Sequence, residues 1–202
     1  KQEKARKKIM ELEEDKNLID DFSTIIQRKD RIGIIGSNGS GKTTLLNILI
    51  GKTEPDKGVV YLGKNLDIQM LDQKRDSLDN NLTLANALTG GGDTVEINGV
   101  SKHVIGYMKS FLFSPEQART AVKVLSGGER GRIMLARALA KTSNFLILDE
   151  PTNDLDIETL DLLQELLSDY KGTVILVSHD RDFLDRVVTS VIAFEGKGQW
   201  IE

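Results

Sequence analysis

The sequence contains no cysteine among its 202 residues, so neither disulfide bonds nor thiolate metal sites can stabilise the fold. It also lacks any apolar run near the ~18 residues that a membrane-spanning helix needs. The basic start, residues 1–8, has no apolar segment behind it and therefore does not have the pattern of a secretory signal. Charge is nearly balanced, with 27 lysines and arginines against 31 aspartates and glutamates, which gives no general argument for nucleic-acid binding. We expect a cytoplasmic domain without membrane insertion.

A glycine-rich loop lies between two apolar segments in the first quarter of the chain. Residues 32–35 predict a buried strand, and residues 44–50 predict a helix. The loop fits the phosphate-binding pattern G-x-x-x-x-G-K-[ST], in which backbone N–H groups approach a polyphosphate at a helix start. We predict that Lys42 binds the β- and γ-phosphates of a bound polyphosphate and that the Thr43 hydroxyl binds Mg²⁺. The flanking strand and helix disfavour the alternative, a turn that merely caps a helix. The predicted nucleotide-binding residues are Gly36, Ser37, Asn38, Gly39, Ser40, Gly41, Lys42, Thr43 and Thr44.

Hydrophobic periodicity predicts an α/β fold around this loop. Early strands are predicted at residues 8–13 and 18–26, and an antiparallel edge at residues 59–62 and 66–71. Wholly apolar strands are predicted at residues 145–148 and 173–177, helices at 157–170 and 182–188, and a final strand at 190–194. Apolar strands that alternate with helices are typical of a mainly parallel sheet with helices on both faces.

The middle of the chain, residues 76–140, is predicted to be a mostly helical insertion between strands. Its predicted elements are a helix at 82–88, a hairpin turn at Asn98-Gly99, a helix at 104–113 and a helix start at Ser114-Pro115. The core sheet is then assigned to residues 1–75 and 141–202.

Two adjacent carboxylates follow one of the apolar strands. Asp149 and Glu150 end the strand at 145–148, at the sheet edge where ligands of open α/β folds bind. Asp149 can hold Mg²⁺ through water, and Glu150 can polarise the water that attacks the γ-phosphate. His179 ends the next apolar strand, and we predict that it lies beside the pair and contacts the γ-phosphate. A structural role for this histidine is the alternative.

A second glycine motif consists of Leu125, Ser126, Gly127, Gly128 and Glu129. Ser126 and Glu129 have the spacing of a capping box. The two glycines leave the helix N-terminus uncovered, so that its N–H groups can touch an anion. From these residues alone, a capped helix with no further role is an equal alternative.

Taken in this order, the motifs resemble those of the ABC-type ATPase domains, and the resemblance covers nearly all of the chain. Residues 36–43 resemble the Walker A motif, residues 125–129 the signature motif and residues 145–149 the Walker B motif. The resemblance implies that Glu150 is the catalytic glutamate and that His179 is the switch histidine.

The same resemblance assigns further residues and a partner. It implies that Gln73 binds Mg²⁺ and that residues 153–156, Asn-Asp-Leu-Asp, form the D-loop. In the family the signature motif closes over the ATP of a second ATPase domain, head to tail. The expected partner is therefore another ABC ATPase domain, in the same chain or in a second copy.

The residues around two of the motifs resemble those of the ABC-F subfamily. Members of this subfamily carry two ATPase domains in one chain and no membrane domain. The relevant stretches are residues 125–132 and 148–156. Residues 96–113 are similar to the second ATPase domain of one ABC-F group, which is associated with the ribosome and, through a C-terminal extension, with nucleic acid. We expect this chain to be a single-domain fragment of such a two-domain protein.

One turn departs from the family pattern. ABC domains usually place an aromatic residue that stacks on adenine before the phosphate-loop strand, and residues 13–21 offer none. Either the loop is shortened, or residues are missing from the printed sequence at this point. The adenine contact is therefore left unassigned, while the phosphate chemistry is assigned.

The sequence thus predicts an ATP-hydrolysing domain of the ABC-F type, with ATP and Mg²⁺ as its ligands, that acts on the ribosome or nucleic acid by ATP-driven domain pairing. Two alternatives are the ATPase subunit of a transporter and an interaction module that binds ATP without hydrolysing it.

Overall fold

The computed structural model describes residues 17–71, 78–97, 100–152 and 155–202. Its main strands are β1 (Arg31–Ile35), β2 (Ile68–Leu71), β5 (Phe145–Asp149), β6 (Thr173–Val177), β7 (Ser190–Gly196) and β8 (Gln199–Ile201). Within the described residues these six form one sheet in the order β2-β5-β6-β1-β7-β8. A separate hairpin consists of β3 (Thr94–Ile97) and β4 (Val100–His103).

The helices lie between these strands. They are α1 (Lys42–Leu49), α2 (Leu84–Thr89), α3 (Val104–Lys109), α4 (Gly127–Ala140), α5 (Ile157–Asp169) and α6 (Arg181–Val187). Two short 3₁₀ helices cover Pro115–Arg119 and Val122–Val124. Within the described part of the chain, no helix is long and apolar enough to cross a membrane.

The central strands bury both of their faces, as the apolar runs predicted. Strands β2, β5, β6, β1 and β7 all pair in parallel. Leu146 and Leu148 of β5 pack into the core on one face, and Phe145 and Ile147 pack into the core on the other. Successive residues of a strand point to opposite faces, so two cores form and helices cover both. The predicted α/β fold with a mainly parallel sheet is therefore confirmed.

The elements of the middle segment match most of the helical predictions. Helix α2, the β3–β4 hairpin and α3 form as expected, although α3 ends at Lys109 rather than at residue 113. The predicted helix start at Ser114-Pro115 is present, with a capping box between Ser114 and Gln117, but the turns that follow are 3₁₀ rather than α-helical. The hairpin turn at Asn98-Gly99 lies outside the described residues.

The predicted antiparallel edge at residues 59–62 and 66–71 is wrong. Residues 59–62 form no strand, and the side chains of Val59 and Tyr61 are exposed. Strand β2 instead joins the sheet in parallel beside β5, opposite residues 145–148. Asn144 explains this placement, because its side chain accepts the Asp67 N–H (2.9 Å) and donates to the carbonyl of Asn65 (2.7 Å).

The antiparallel edge lies elsewhere, at the end of the chain. Strand β7 does not end the sheet as predicted, because β8 pairs antiparallel with it. Lys197 and Gly198 both have positive φ, 50° and 79°, which is the requirement of a tight hairpin turn of type I′. Trp200 then packs on Phe194 with ring centroids 5.2 Å apart and donates its Nε1–H to the carbonyl of Leu18.

Two further strand predictions precede the phosphate loop. Residues 18–26 form no strand, so this prediction is wrong. The backbone of residues 18–26 instead contacts the β7–β8 turn. The Asp20 N–H, for example, donates to the carbonyl of Gly198 at 2.8 Å. Residues 8–13 lie outside the described part of the chain.

Candidate nucleotide-binding site

Three neighbouring parallel strands end side by side at one edge of the sheet. The register aligns Val177 of β6 with both Asp149 of β5 and Ile34 of β1. The loop after each strand therefore emerges at the same place. These loops carry the predicted phosphate-binding residues, the acidic pair and His179, and ligands of open α/β sheets bind at this edge.

The loop after β1 forms a tight turn that leads into α1. Gly39 and Gly41 have φ of 78° and 96°, a left-handed conformation that favours glycine. A Cβ added to Gly36 would lie 2.6 Å from Ser40 Oγ, so the turn leaves no room for a side chain there. The glycine spacing of the motif thus has a direct steric cause.

The start of α1 offers unbonded N–H groups to a ligand. Gly41 is its N-cap, and no side chain caps the helix. The first-turn N–H groups of an α-helix have no acceptor within the helix, and the helix dipole adds partial positive charge there. Ser40 Oγ, beside them, is buried without a hydrogen-bond partner in the described residues. A polyphosphate supplies the acceptors that this cradle requires, so ATP fits the residues present.

Lys42, the first residue of α1, folds back over the loop. Its Nζ donates to the carbonyl of Gly36 at 2.8 Å and to that of Ser37 at 3.3 Å. It also lies 3.2 Å from Nε2 of His179. The ammonium group is therefore held between the phosphate loop and the loop after β6.

Glu150 follows β5 in an unusual backbone conformation. Its φ is 50°, which is rare for a residue other than glycine, and its N–H donates to the carbonyl of Val177 at 2.8 Å. The turn buries most of the side chain, leaving 13% exposed. Oε1 lies 3.2 Å from His179 Nε2, but it has no partner with hydrogen-bond geometry among the described residues. A buried carboxylate oxygen without a hydrogen bond can accept one from a ligand or a water molecule.

His179, in the loop after β6, lies close to residues of both other loops. Besides Lys42 and Glu150, its Nε2 lies 3.1 Å from Oδ1 of Asn38 in the phosphate loop. Nε2 can accept from Lys42 when it carries no proton, or donate to Asn38 when it does. The tautomer of this ring therefore selects between two partners in the phosphate loop.

Sequence reasoning missed two hydroxyl residues that support this arrangement. Ser178 is fully buried, and its Oγ lies 3.2 Å from Oγ1 of Thr152. The same Oγ accepts the N–H of Asp180 at 3.1 Å. Ser178 thereby joins the turn after Glu150 to the turn that carries His179. A serine directly after a wholly apolar strand was the available signal.

Two of the predicted Mg²⁺ ligands lie at this edge. Thr43 is exposed on the first turn of α1 and Asp149 is partly buried at the end of β5, while Gln73 lies outside the described residues. No group of three or more acidic or histidine side chains that could hold a metal is present in the described part of the chain. This donor set fits Mg²⁺, which usually takes one or two protein ligands and completes its coordination with phosphates and water.

The second glycine motif is held by hydrogen bonds of its own, at the start of α4. Ser126 caps α4, and its Oγ accepts the N–H of Glu129 at 3.3 Å. Glu129 Oε2 accepts the N–H of Ser126 at 2.8 Å, and its Oε1 accepts from Gln117 at 2.7 Å. Burial tends to raise the pKa of Glu129, but hydrogen bonds from Ser126 and Gln117 outweigh it and hold the pKa below its ordinary value. The predicted capping box is confirmed, and its hydrogen bonds join it to none of the phosphate-loop residues described.

The site at the ends of β1, β5 and β6 and the capped glycine motif together define an ATP-binding domain of the ABC class. The chain belongs to the ABC transporter family, because the family model matches residues 19–153. The resemblance to ABC-F proteins is confirmed by its relatives. The chain is 53% identical to the ATP-binding protein Uup of Caulobacter vibrioides, over 93% of this chain and 31% of that protein. It is 42% identical to the energy-dependent translational throttle protein EttA of Escherichia coli, over 92% of this chain and 33% of that protein.

A solved structure shares the fold. It is a chain in the complex of the archaeal ribosomal stalk protein aP1 with the archaeal ribosome recycling factor aABCE1. The TM-score is 0.66 and the identity 27%, over 86% of this chain and 33% of the other. This chain spans about a third of the length of the curated relatives that it matches.

Proposed function

We propose that this domain binds and hydrolyses ATP. The observation that carries the proposal is the meeting of Lys42, Glu150 and His179 at the ends of three adjacent parallel strands. A phosphate bound at the α1 N-terminus would lie beside a cation, a buried carboxylate and a histidine. These are the parts that in-line phosphoryl transfer to water requires.

In the proposed reaction a water molecule attacks the γ-phosphorus, the bond to the β-γ bridging oxygen breaks, and ADP and phosphate leave. Lys42 and the first-turn N–H groups of α1 hold the phosphates. Glu150 orients the water and accepts its proton, and His179 donates a hydrogen bond to the γ-phosphate. Mg²⁺, when bound by Thr43, Asp149 and Gln73, would neutralise phosphate charge. The partly buried position of Glu150 suits a base that must be desolvated to act.

We further propose that residues 1–202 are one ATPase domain of a longer two-domain protein, and that ATP joins this domain to a second one. The signature residues 125–129 would bind the γ-phosphate held by the partner domain. This is supported by the hydrogen bonds of the Ser126 side chain, which among the described residues go to Glu129 and not to the phosphate loop of the same chain, and by the greater length of the relatives.

The partner of the whole protein is proposed to be the ribosome, which places it in the cytoplasm. The support lies in the names of two similar proteins, a translational throttle protein and a ribosome recycling factor in complex with a ribosomal stalk protein. Sedimentation of the full-length Glu150→Gln protein with purified ribosomes tests this. We expect co-sedimentation with ATP and release with ADP. Binding only to free RNA or DNA would replace the ribosome by nucleic acid.

Hydrolysis is tested by phosphate release from ATP and Mg²⁺, measured for the unsubstituted chain and for Glu150→Gln. Gly106→Ala serves as the control, because Gly106 lies on α3 with open space around it. We expect release by the parent and the control and a loss of about a hundredfold or more in Glu150→Gln, within the contribution of a general base. Equal rates in all three proteins would contradict the role of Glu150. ATP binding without release in any of them would favour the non-hydrolysing module.

A further inference from the structure

Helix α4 approaches the start of α5 unusually closely. A Cβ added to Gly131 would lie 2.7 Å from Cδ2 of Leu155, and one added to Gly128 would lie 2.9 Å from Oδ2 of Asp156. Both distances are too short for a real contact, so a side chain at either position would require the Leu155 or the Asp156 side chain to move. The glycines stand three residues apart and therefore share one face of α4.

A buried arginine on the same face joins the two helices by polar contacts. Arg132 Nη1 donates to Thr159 Oγ1 at 3.0 Å and lies 3.5 Å from Asp156 Oδ2. Its guanidinium also lies over the Phe113 ring, 5.2 Å from the centroid. Arg132 is only 8% exposed and Thr159 is fully buried, so their hydrogen bond is shielded from solvent, whereas the Asp156 side chain is 56% exposed. Burial of a guanidinium group without a partner costs free energy, so the contacts of Arg132 with Thr159 and Asp156 stabilise its buried position.

Asp156 has two roles in this contact. It is the N-cap of α5, where its Oδ1 accepts the N–H of Thr159 at 2.8 Å. Hydrogen bonds from Thr159, with a smaller effect from the Arg132 charge, hold the pKa of Asp156 below its ordinary value. The carboxylate therefore stays ionised at neutral pH, capping one helix while it faces a cation of the other.

Further contacts join the start of α5 to the turn that carries Glu150. The N–H of Leu155 donates to the carbonyl of Thr152 at 3.3 Å. Thr152 in turn contacts Ser178, which supports the turn of His179. The same N-terminal part of α4 that contacts α5 is capped by Ser126. A series of direct contacts thus leads from the partner-facing end of α4 to the turns that carry Glu150 and His179.

We propose that Gly131 and Arg132 are positioning residues that fix the Ser126 end of α4 relative to the Glu150 turn of the same chain. This rests on the proposed ATP-driven pairing. A partner domain that engages Ser126 would then meet a catalytic turn held at a defined place. A displacement of α4 would misplace Glu150 and His179 without touching the phosphate loop.

The sharpest test exploits the steric contact between Gly131 and Leu155. Alanine has a higher helix propensity than glycine, so Gly131→Ala should not lower the melting temperature through the helix itself. We expect kcat for ATP hydrolysis to fall about tenfold, a coupling typical of residues in contact, while KM for ATP stays within about twofold. The double variant Gly131→Ala/Leu155→Ala removes the clash and should recover most of kcat. Gly106→Ala is the matched helical control.

Arg132 is tested by two substitutions. Arg132→Met removes the charge and the N–H donors of the guanidinium group but keeps an apolar side chain beside Phe113. Arg132→Lys keeps the charge and one donor nitrogen. We expect Arg132→Met to lower kcat at unchanged KM and Arg132→Lys to recover part of it. Parent kcat values in Gly131→Ala and Arg132→Met, or no recovery in the double variant, would overturn the proposal.

A separate measurement distinguishes this proposal from the proposed function. If the unsubstituted chain hydrolyses no ATP, the function fails, and amide hydrogen exchange then decides the positioning role. The Leu155 and Thr159 amides should exchange faster in Gly131→Ala than in the parent and return toward the parent rate in the double variant. Equal exchange in all three proteins would contradict the coupling of α4 to α5.

Discussion

The ammonium group of Lys42 is bound by carbonyls of its own loop, at 2.8 Å and 3.3 Å. These contacts hold a full positive charge at the N-terminus of α1, where the helix dipole already favours an anion. The motif alone predicted this residue and its position. It could not predict that Asn38 reaches His179, because the two stand 141 positions apart and meet only through the adjacency of β1 and β6.

Substitution of Lys42 is the first test at the residue scale. A hydrogen bond to a charged group contributes about 1.5–3 kcal/mol, and Lys42 is proposed to reach two phosphates. Lys42→Ala should therefore weaken ATP binding by about a hundredfold or more, since each 1.4 kcal/mol is tenfold. Titration with a fluorescent ATP analogue measures the affinity, and matched circular dichroism verifies the fold. Unchanged affinity would remove the nucleotide-binding role of this loop.

The backbone conformation of Glu150 could not be predicted from the sequence either. A pattern of two acids after an apolar strand places the residue, but φ of 50° follows from the N–H bond to Val177 and from the tight turn. Strained backbone at a predicted functional residue is common because the surrounding structure fixes the side chain there. Ser178, which the patterns also missed, supplies part of that surrounding structure.

At the element scale, prediction succeeded where a helix carries its own start signal. The capping box of α4 uses only residues 126 and 129, so the local sequence determines it. Strand partners are not local in this sense. Residues 59–62 have the composition of a strand, yet a strand needs a neighbour to hydrogen-bond with, and the described residues place none beside them. Residues 197 and 198 form a tight turn without the Asn-Gly or Asp-Gly signal.

The α4 cap also predicts a pH dependence of stability. The folded pKa of Glu129 is lowered, so its carboxylate stabilises the fold above its ordinary pKa, and this contribution is lost as pH falls through the folded value. Glu129→Gln keeps a capping side chain that does not titrate. Urea midpoints at pH 6 and pH 3.5 should therefore fall less in Glu129→Gln than in the parent. Glu165→Gln, on the exposed side of α5, is the control, and equal losses in all three would contradict the assignment.

At the scale of the whole molecule, the order of motifs and apolar strands predicted a parallel sheet whose strand ends form one site. The edges of the sheet were not predicted, since they depend on contacts such as Trp200 with Phe194 that no periodicity reveals. Among the described residues, the hydrogen bonds of the Ser126–Glu129 capping box join it to Gln117 and to no residue of the phosphate loop. The proposed pairing would use this motif for the phosphate held by a second domain.

Pairing is first tested by trapping. Glu150→Gln should retain ATP and form a two-fold dimer with ATP and Mg²⁺, because hydrolysis no longer separates the two copies. Ser126→Arg added to this variant should spare ATP binding and abolish the dimer, since the bulky side chain blocks only the γ-phosphate held by the partner. Multi-angle light scattering with and without ATP measures the mass. A Glu150→Gln protein that binds ATP yet stays monomeric at high concentration would point to a different partner domain.

Complementation between two inactive variants tests the shared site most directly. A Lys42→Ala copy cannot bind ATP but offers an intact Ser126, and a Ser126→Arg copy binds ATP but cannot close over the γ-phosphate held by its partner. Each should release little phosphate alone, and their mixture should regain activity because one complete site forms between the two copies. Under conditions in which the unsubstituted chain is active, a mixture that stays inactive, or a Ser126→Arg copy that is active by itself, would contradict a site shared between two domains.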